Sequence, residues 1–225
     1  MHDLSDANPL SRQHGLLAGL RIRGDRPAVP AAPRGAACFR RVARPPHPAG
    51  LVYSSSVSST AIRTVPTVDA ALAEALAALL CDVVAQGASV GFLNPLSPAD
   101  ARSYWLQVPA PHVTLLVAEQ QGRLVGTAQL HAAQQPNAKH RAEVCKLMVH
   151  PAAQRRGIAR ALMDELEKSA RAASRTLLVL DTRSGDVSSD LYRSMGYVEV
   201  GRIPRYARSS SGQLDGTVLF YKELS

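Results

Sequence analysis

At 225 residues, 46% of them apolar, the chain can supply one domain of about 150–170 residues and an appendage. No run of 18 uninterrupted apolar residues occurs, which argues against a membrane span. Cys38, Cys81 and Cys145 form neither a CxxC pair nor a Cys/His cluster, so neither a disulfide framework nor a metal site is expected, and a reducing cytoplasm fits. The net charge of +8 is uneven: residues 1–60 hold eight arginines, no lysine and three acids, which leaves +3 for 61–225. The basic excess therefore sits mostly in the N-terminal stretch, and no nucleic-acid partner is expected for the folded part.

Residues 1–60 carry seven of the fifteen prolines and end in a serine-rich run. They lack sustained periodicity, so a disordered arm is expected there, followed by one domain over 61–225. Asp3 and Asp6, with no apolar segment behind them, argue against a targeting peptide. Residues 61–65 alternate as a short strand. Thr67 or Asp69 then caps a helix running to about Gln86, with Leu72, Leu76, Leu79, Leu80 and Val83 inward and Gly87 as its stop. Ser97 caps a second helix over 98–108, with Pro98 in the first turn. Residues 112–119 and 123–133 form a hairpin about Gln121-Gly122. His131, His140 and His150 fall in or beside loops and are expected at the surface.

Glu143 to Ala173 then reads as strand, turn and amphipathic helix. Val144, Leu147, Met148 and Val149 make the strand, and Pro151 ends it. Ile158, Ala161, Leu162, Leu166, Ala170 and Ala173 recur at helical spacing. Between the two lies Gln154-Arg155-Arg156-Gly157-Ile158-Ala159. Unpaired amides and the positive end of the macrodipole attract phosphate to a helix start. Two arginines there are the wrong charge unless an anion joins them; the alternative is an ordinary turn with two solvated side chains. Residues 176–182 read as a continuous apolar strand covered on both faces, followed by a helix over 187–195. Strands over 197–203 and 214–222 complete the chain, with an Arg/Ser/Gly loop between them. The class is α/β, in the order β-α-α-β-β-β-α-β-α-β-β.

The hexapeptide Q-R-R-G-I-A, behind an apolar strand ending V-x-P, resembles the [R/Q]-x-x-G-x-[G/A] pattern of the GCN5-related N-acetyltransferases, the GNAT superfamily. The resemblance implies a mixed, mostly antiparallel sheet splayed between its fourth and fifth strands. It also implies acetyl-CoA as co-substrate. The diphosphate would be held by the turn Arg155, Arg156, Gly157, Ile158, Ala159 and Arg160, and pantetheine by the backbone of Leu147, Met148 and Val149. In S-S-D-L-Y-R-S-M-G-Y, Tyr192 matches a tyrosine that in this family stands near the cofactor sulfur; alternatively it packs against Tyr197 and the sheet.

Glu143 and Asp181 are the candidate bases, each near one end of an apolar strand; the alternative is a solvated strand end and a loop cap. A closer resemblance, through GASVGF, RAEVCKLMV, LLVLDT and LYRSMGYVEVGRIPRY, is to the tabtoxin resistance acetyltransferases. It implies two carboxylates and a tyrosine matching Glu143, Asp181 and Tyr192, with Cys145 an expected departure in the cleft wall. The acceptor wall is expected from GASVGFLNP, Tyr104, Trp105 and a long 204–216 loop. The expected function is direct acetyl transfer from acetyl-CoA to a small-molecule amine or hydroxyl, such as a β-lactam toxin, by a cytoplasmic monomer or homodimer. A protein N-terminus as acceptor, or a non-catalytic acetyl-CoA-binding module, are the rivals. No serine or cysteine stands in a nucleophile–base pair, which favours transfer without an acyl-enzyme.

Overall fold

A computed structural model describes residues 59–225. The arm expected over 1–60 lies, but for its last two residues, outside them. Seven strands form one sheet in the order β1-β2-β3-β4-β5-β7-β6. They are β1 (Thr60–Val65), β2 (Val113–Gln120), β3 (Arg123–Ala132), β4 (Arg141–Val149), β5 (Leu177–Arg183), β6 (Val198–Arg208) and β7 (Leu214–Glu223). Four helices accompany them: α1 (Ala70–Ala85), α2 (Pro98–Gln107), α3 (Ile158–Ala172) and α4 (Ser188–Ser194). The element order is the one expected, and only β4 and β5 pair in parallel.

Local chemistry sets the helix starts. Of the two cap candidates for α1, Asp69 accepts from the Leu72 amide at 2.8 Å. Ser97 accepts from the Asp100 amide at 3.1 Å at the head of α2, with Pro98 beside it where a missing N–H costs nothing. α3 differs: its cap is Gly157, at φ +80°, and no side chain caps it.

Alternate residues of a strand point to opposite faces, so the two faces of the sheet build two cores. Leu116, Ala118, Ala128, Leu130, Val144, Leu178 and Leu180 meet Ile158, Leu162, Leu166 and Ala170 of α3. Leu115, Val117 and Met148 meet Leu76, Leu80 and Val83 of α1, with Ala101 and Trp105 of α2. The second core stops at β4, and there the structure departs from expectation. In β5, Leu178 and Leu180 are buried, but Val179 is half-buried and Asp181 exposed. That strand is covered on one face only, because α1 and α2 do not extend over it.

The 204–216 loop is also corrected. β6 continues through Arg208, and Ala207 and Arg208 pair with Asp215 and Leu214, so most of the segment is a hairpin arm. A slip in register between Ile203 and Ala207 accommodates Pro204 and the left-handed Arg205, at φ +54°. Only residues 209–213 turn, closed by the Ser209 amide donating to Gln213 O at 2.8 Å.

Behind the sheet, Lys222 of β7 donates to both carboxylate oxygens of Glu167 on α3, at 2.6 and 2.7 Å. Glu167 is 5% exposed, and this pair ties the helix to the far half of the sheet.

Candidate active site

β4 and β5 pair only at Arg141↔Leu177, Ala142↔Leu178 and Glu143↔Val179. Beyond that the strands part, and residues 144–149 of β4 have no strand partner on the β5 side. The side chains there are already anchored. Leu147 packs into the α3-side core, Met148 is 3% exposed in the α1-side core, and Val149 is half-buried. What faces the gap is therefore backbone.

The bend that separates these anchors is a β-bulge. Thr127 pairs with Met148 and Gln129 with Cys145, so Lys146 and Leu147 stand opposite Ala128 alone. Lys146 takes the left-handed conformation, at φ +52°. As a result Glu143, Cys145, Lys146 and Met148 all belong to the face that carries α1 and α2.

The strand ends where the His150 amide donates to Val125 O at 2.8 Å, and the Gln154 side chain closes the turn by donating to Val149 O at 3.2 Å. Arg155, at φ +62°, and Gly157 then swing the chain into α3. The first intrahelical bond from this cap is Ala161 N to Gly157 O, at 3.0 Å. The amides of Ile158, Ala159 and Arg160 precede it and have no acceptor within the helix. A Cβ added at Gly157 would meet nothing within 4 Å, so its backbone conformation demands glycine, and the space beside it is open. Arg155 and Arg156 are exposed, whereas Ile158 is 2% exposed and anchors the helix in the core. The Arg160 guanidinium points away to α4, donating to Ser194 Oγ at 2.6 Å.

Glu143 and Asp181 project from β4 and β5 on the same face, at the point where the strands part. Thr217 Oγ1 of β7 lies 2.7 Å from Asp181 Oδ2 and 2.8 Å from Thr182 O, and shares its one proton between them. Burial, and then the Glu143 carboxylate, push the Cys145 thiol above its ordinary range, so it stays protonated. Burial lowers the Lys146 pKa, opposed by Cys145, Asp181 and Glu143. Burial, followed by the Asp181 and Glu143 carboxylates, raises the Tyr206 phenol pKa.

Tyr192 is 6% exposed, with ring centroids 5.9 Å from Tyr197 and 5.7 Å from Phe220. The ring therefore packs against Tyr197 and the sheet, whatever its hydroxyl does. Its ionisation nevertheless feels the cleft. Burial raises the phenol pKa, with Asp186, Asp181 and Cys145 adding to it, against a hydrogen bond with Ser188. The hydroxyl keeps its proton at any physiological pH.

Three other residues were misread or missed. Trp105 is fully buried, since with Ala101 it lies one helical turn along the core face of α2, so it is no part of an acceptor wall. His131 lies near the end of β3, opposite Glu143 in register, and is half-buried rather than at the surface. Its Nε2 lies 2.7 Å from Gln129 Oε1, and the Gln129 amide nitrogen donates to the Tyr104 hydroxyl at 3.0 Å. Gln129 is fully buried, so both ends of its amide need these partners. Burial pushes the Tyr104 phenol up to about 12. Strand parity would have exposed His131 once the hairpin register was known. His140 is exposed, and His150 faces Asp82 at 3.3 Å.

A splayed β4–β5 pair with an uncapped helix start at its mouth is matched at the sequence level as well. The model of the acetyltransferase (GNAT) family matches residues 85–197, half of the chain. The chain belongs to the GNAT acetyltransferase family. Solved structures agree on the fold. An N-acetyltransferase from Staphylococcus aureus Mu50 superposes with a TM-score of 0.65 at 18% identity, covering 75% of this chain and 100% of that one. The ribosomal-protein-alanine N-acetyltransferase of Brucella melitensis gives 0.62 at 24% identity, with 73% and 99% covered. An acetyltransferase-fold protein of Salmonella typhimurium, solved with its cofactor acetyl-CoA, gives 0.62 at 20%, with 74% and 94% covered. Among the described residues, this GNAT chain has no cluster of three or more metal-ligating side chains and no helix long and apolar enough to cross a membrane.

Proposed function

We propose that this GNAT protein transfers the acetyl group of acetyl-CoA to a small-molecule amine or hydroxyl. The observation that carries the reading is the pair of carboxylates, Glu143 and Asp181, set on one face where β4 and β5 diverge beside the uncapped start of α3. Acetyl-CoA supplies an activated thioester and a diphosphate handle. The free backbone edge of Leu147, Met148 and Val149 suits an extended amide-bearing chain, which can bond to it as a strand would. The amides of Ile158, Ala159 and Arg160, the open space at Gly157 and the arginines 155 and 156 suit a diphosphate. With its side chain tied to Ser194, Arg160 contributes through its backbone amide.

On the acceptor side, Glu143 and Asp181 draw in a cationic amine. One carboxylate takes a proton from it, leaving the neutral amine whose lone pair attacks the thioester carbonyl; the other can take the second proton once the C–N bond has formed. Thr217 holds Asp181 in place. The bulged backbone at Lys146 and Leu147 offers an amide to the developing charge on the carbonyl oxygen. Tyr192 retains its proton and donates a hydrogen bond toward the departing sulfur; its raised pKa makes complete proton transfer unfavourable. Cys145 stays a neutral thiol, which favours direct attack over an acyl-enzyme. The likeness of several segments to tabtoxin resistance acetyltransferases favours β-lactam amino acids within the small-molecule class.

The test is acetyl-CoA-dependent thiol release across β-lactam amino acids, aminoglycosides, polyamines, free amino acids and N-terminal peptides. Turnover of one small-molecule class supports the reading. Turnover of peptides alone would replace it, and tight acetyl-CoA binding without any turnover would favour a sensor.

A further inference from the structure

The connection between α1 and α2 is held at three points by three separate parts of the sheet. Gly87 O accepts from Arg183 Nη1 at 3.0 Å, at the end of β5. Val90 O accepts from Lys146 Nζ at 2.7 Å, at the bulge of β4. The Asn94 amide donates to Ser210 Oγ at 2.9 Å, in the turn between β6 and β7. The segment thus touches both strands that splay apart and then the hairpin on the far side. Those contacts carry it over the end of the gap where Glu143, Asp181 and Tyr206 lie.

The middle contact is the most built of the three. Lys146 occupies the bulge in a left-handed conformation that disfavours a side chain with a Cβ. Its ammonium lies 5.5 Å from the Phe92 ring centroid and 5.8 Å from that of Tyr104. Phe92 and Tyr104 in turn meet edge to face at 5.1 Å. A Cβ on Gly91 would come within 3.0 Å of the ammonium, so this glycine, at φ +85°, lets the cation sit against the segment. A half-buried ammonium is costly unless its bonds are used, and here they hold a loop that has no regular structure of its own.

We propose that Lys146 is a positioning residue that determines acceptor specificity. It pins residues 87–96 as a strap across the acceptor end of the β4–β5 gap, so the site admits a small amine and excludes a polypeptide N-terminus. This rests on the acetyltransferase reading of the cleft. An extended peptide advances about 3.3 Å per residue and needs an unbroken groove leading away from its amine. The Asn94–Ser210 contact closes that side.

The test uses the full chain and two variants. Lys146→Met keeps the stem and removes the charge. Losing a charge-assisted bond, it should speed amide exchange in residues 88–96 about tenfold while leaving 158–172 unchanged. The KM for the small amine should rise about tenfold, more than kcat falls, with the acetyl-CoA Kd unchanged. Ser210→Ala, at an exposed position, should raise acetylation of N-terminal peptides relative to small amines about fivefold. Wild-type activity on peptides equal to that on small amines would overturn the proposal. So would unchanged exchange in 88–96, or exchange accelerated throughout the chain, in Lys146→Met. Exchange needs no acceptor, so the pinning is decided even if no turnover is found and the acetyltransferase reading falls with it.

Discussion

The two ends of the cleft are built by different means. On the cofactor side, the groups that face the gap are backbone, and the side chains of the same residues are sunk into two cores. Met148 goes to one face and Ile158 and Leu162 to the other, each at most 3% exposed. On the acceptor side, the groups that face the gap are side chains, and the segments around them are held by single hydrogen bonds and surface ion pairs. Backbone held by packing offers the same surface whatever the neighbouring side chains are. Side chains on tethered loops can change without cost to the fold. A shared co-substrate site with a divergent acceptor site is the expected consequence.

Substitutions can break this contrast in graded steps. Gly157→Glu puts a bulky anion and a strained backbone at the helix start, so acetyl-CoA binding by calorimetry should weaken by at least about 100-fold, while circular dichroism shows the fold retained. Asp181→Asn should lower kcat by about 100-fold, the lower range for general-base loss, with the acetyl-CoA Kd within about twofold. If turnover with the true acceptor were unchanged, Asp181 would be a loop cap and no more. Tyr192→Phe should reduce kcat about tenfold and leave thermal stability nearly unaltered, since the ring packing survives. The basic limb of the pH–rate profile should persist in that variant, because the raised phenol pKa keeps Tyr192 from being its source.

Stability should show the same asymmetry. Leu162→Ala, in the fully buried α3 core, should cost about 3 kcal/mol in denaturant unfolding. Glu199, which receives Arg193 at 2.7 Å and Arg202 at 2.9 Å between α4 and β6, should matter far less. The hydrogen bond from Arg193, then that from Arg202, lowers its carboxylate pKa in the folded state. Its contribution is therefore present above the ordinary carboxylate pKa of about 4.3 and is lost as pH falls through the lower folded value. Glu199→Gln should cost about 0.5 kcal/mol at pH 7, since both partners are largely exposed, and nothing measurable once the carboxylate is protonated. A larger loss at pH 7 would mean that this surface pair is more firmly built than its exposure allows.

Much of this was legible along the chain because the signals are local. Asp69 and Ser97 cap helices through amides three residues away, and the alternation in β1 and the helical spacing in α3 need no partner to be read. The turn at Gln154–Ala159 announced itself as charge at a helix start. Beyond the β2–β3 hairpin, what involved pairing was not legible. Trp105 reads as acceptor wall until α2 is placed, and His131 reads as a surface residue until β3 is aligned with β4. The run 204–208 looks like loop because its pairing with 214 and 215 skips a bulge.

By itself, then, the sequence determined the order of elements, the helix starts and the positive charge gathered at the start of α3, all set by interactions within a few residues. Tertiary structure decided which face each side chain serves. The bulge at Lys146 reverses strand parity, and the second helix layer ends before β5; neither is expressed in local periodicity. The bulge turns Lys146 to the face that Glu143 and Cys145 already share, and the end of the helix layer leaves Asp181 of β5 exposed on it.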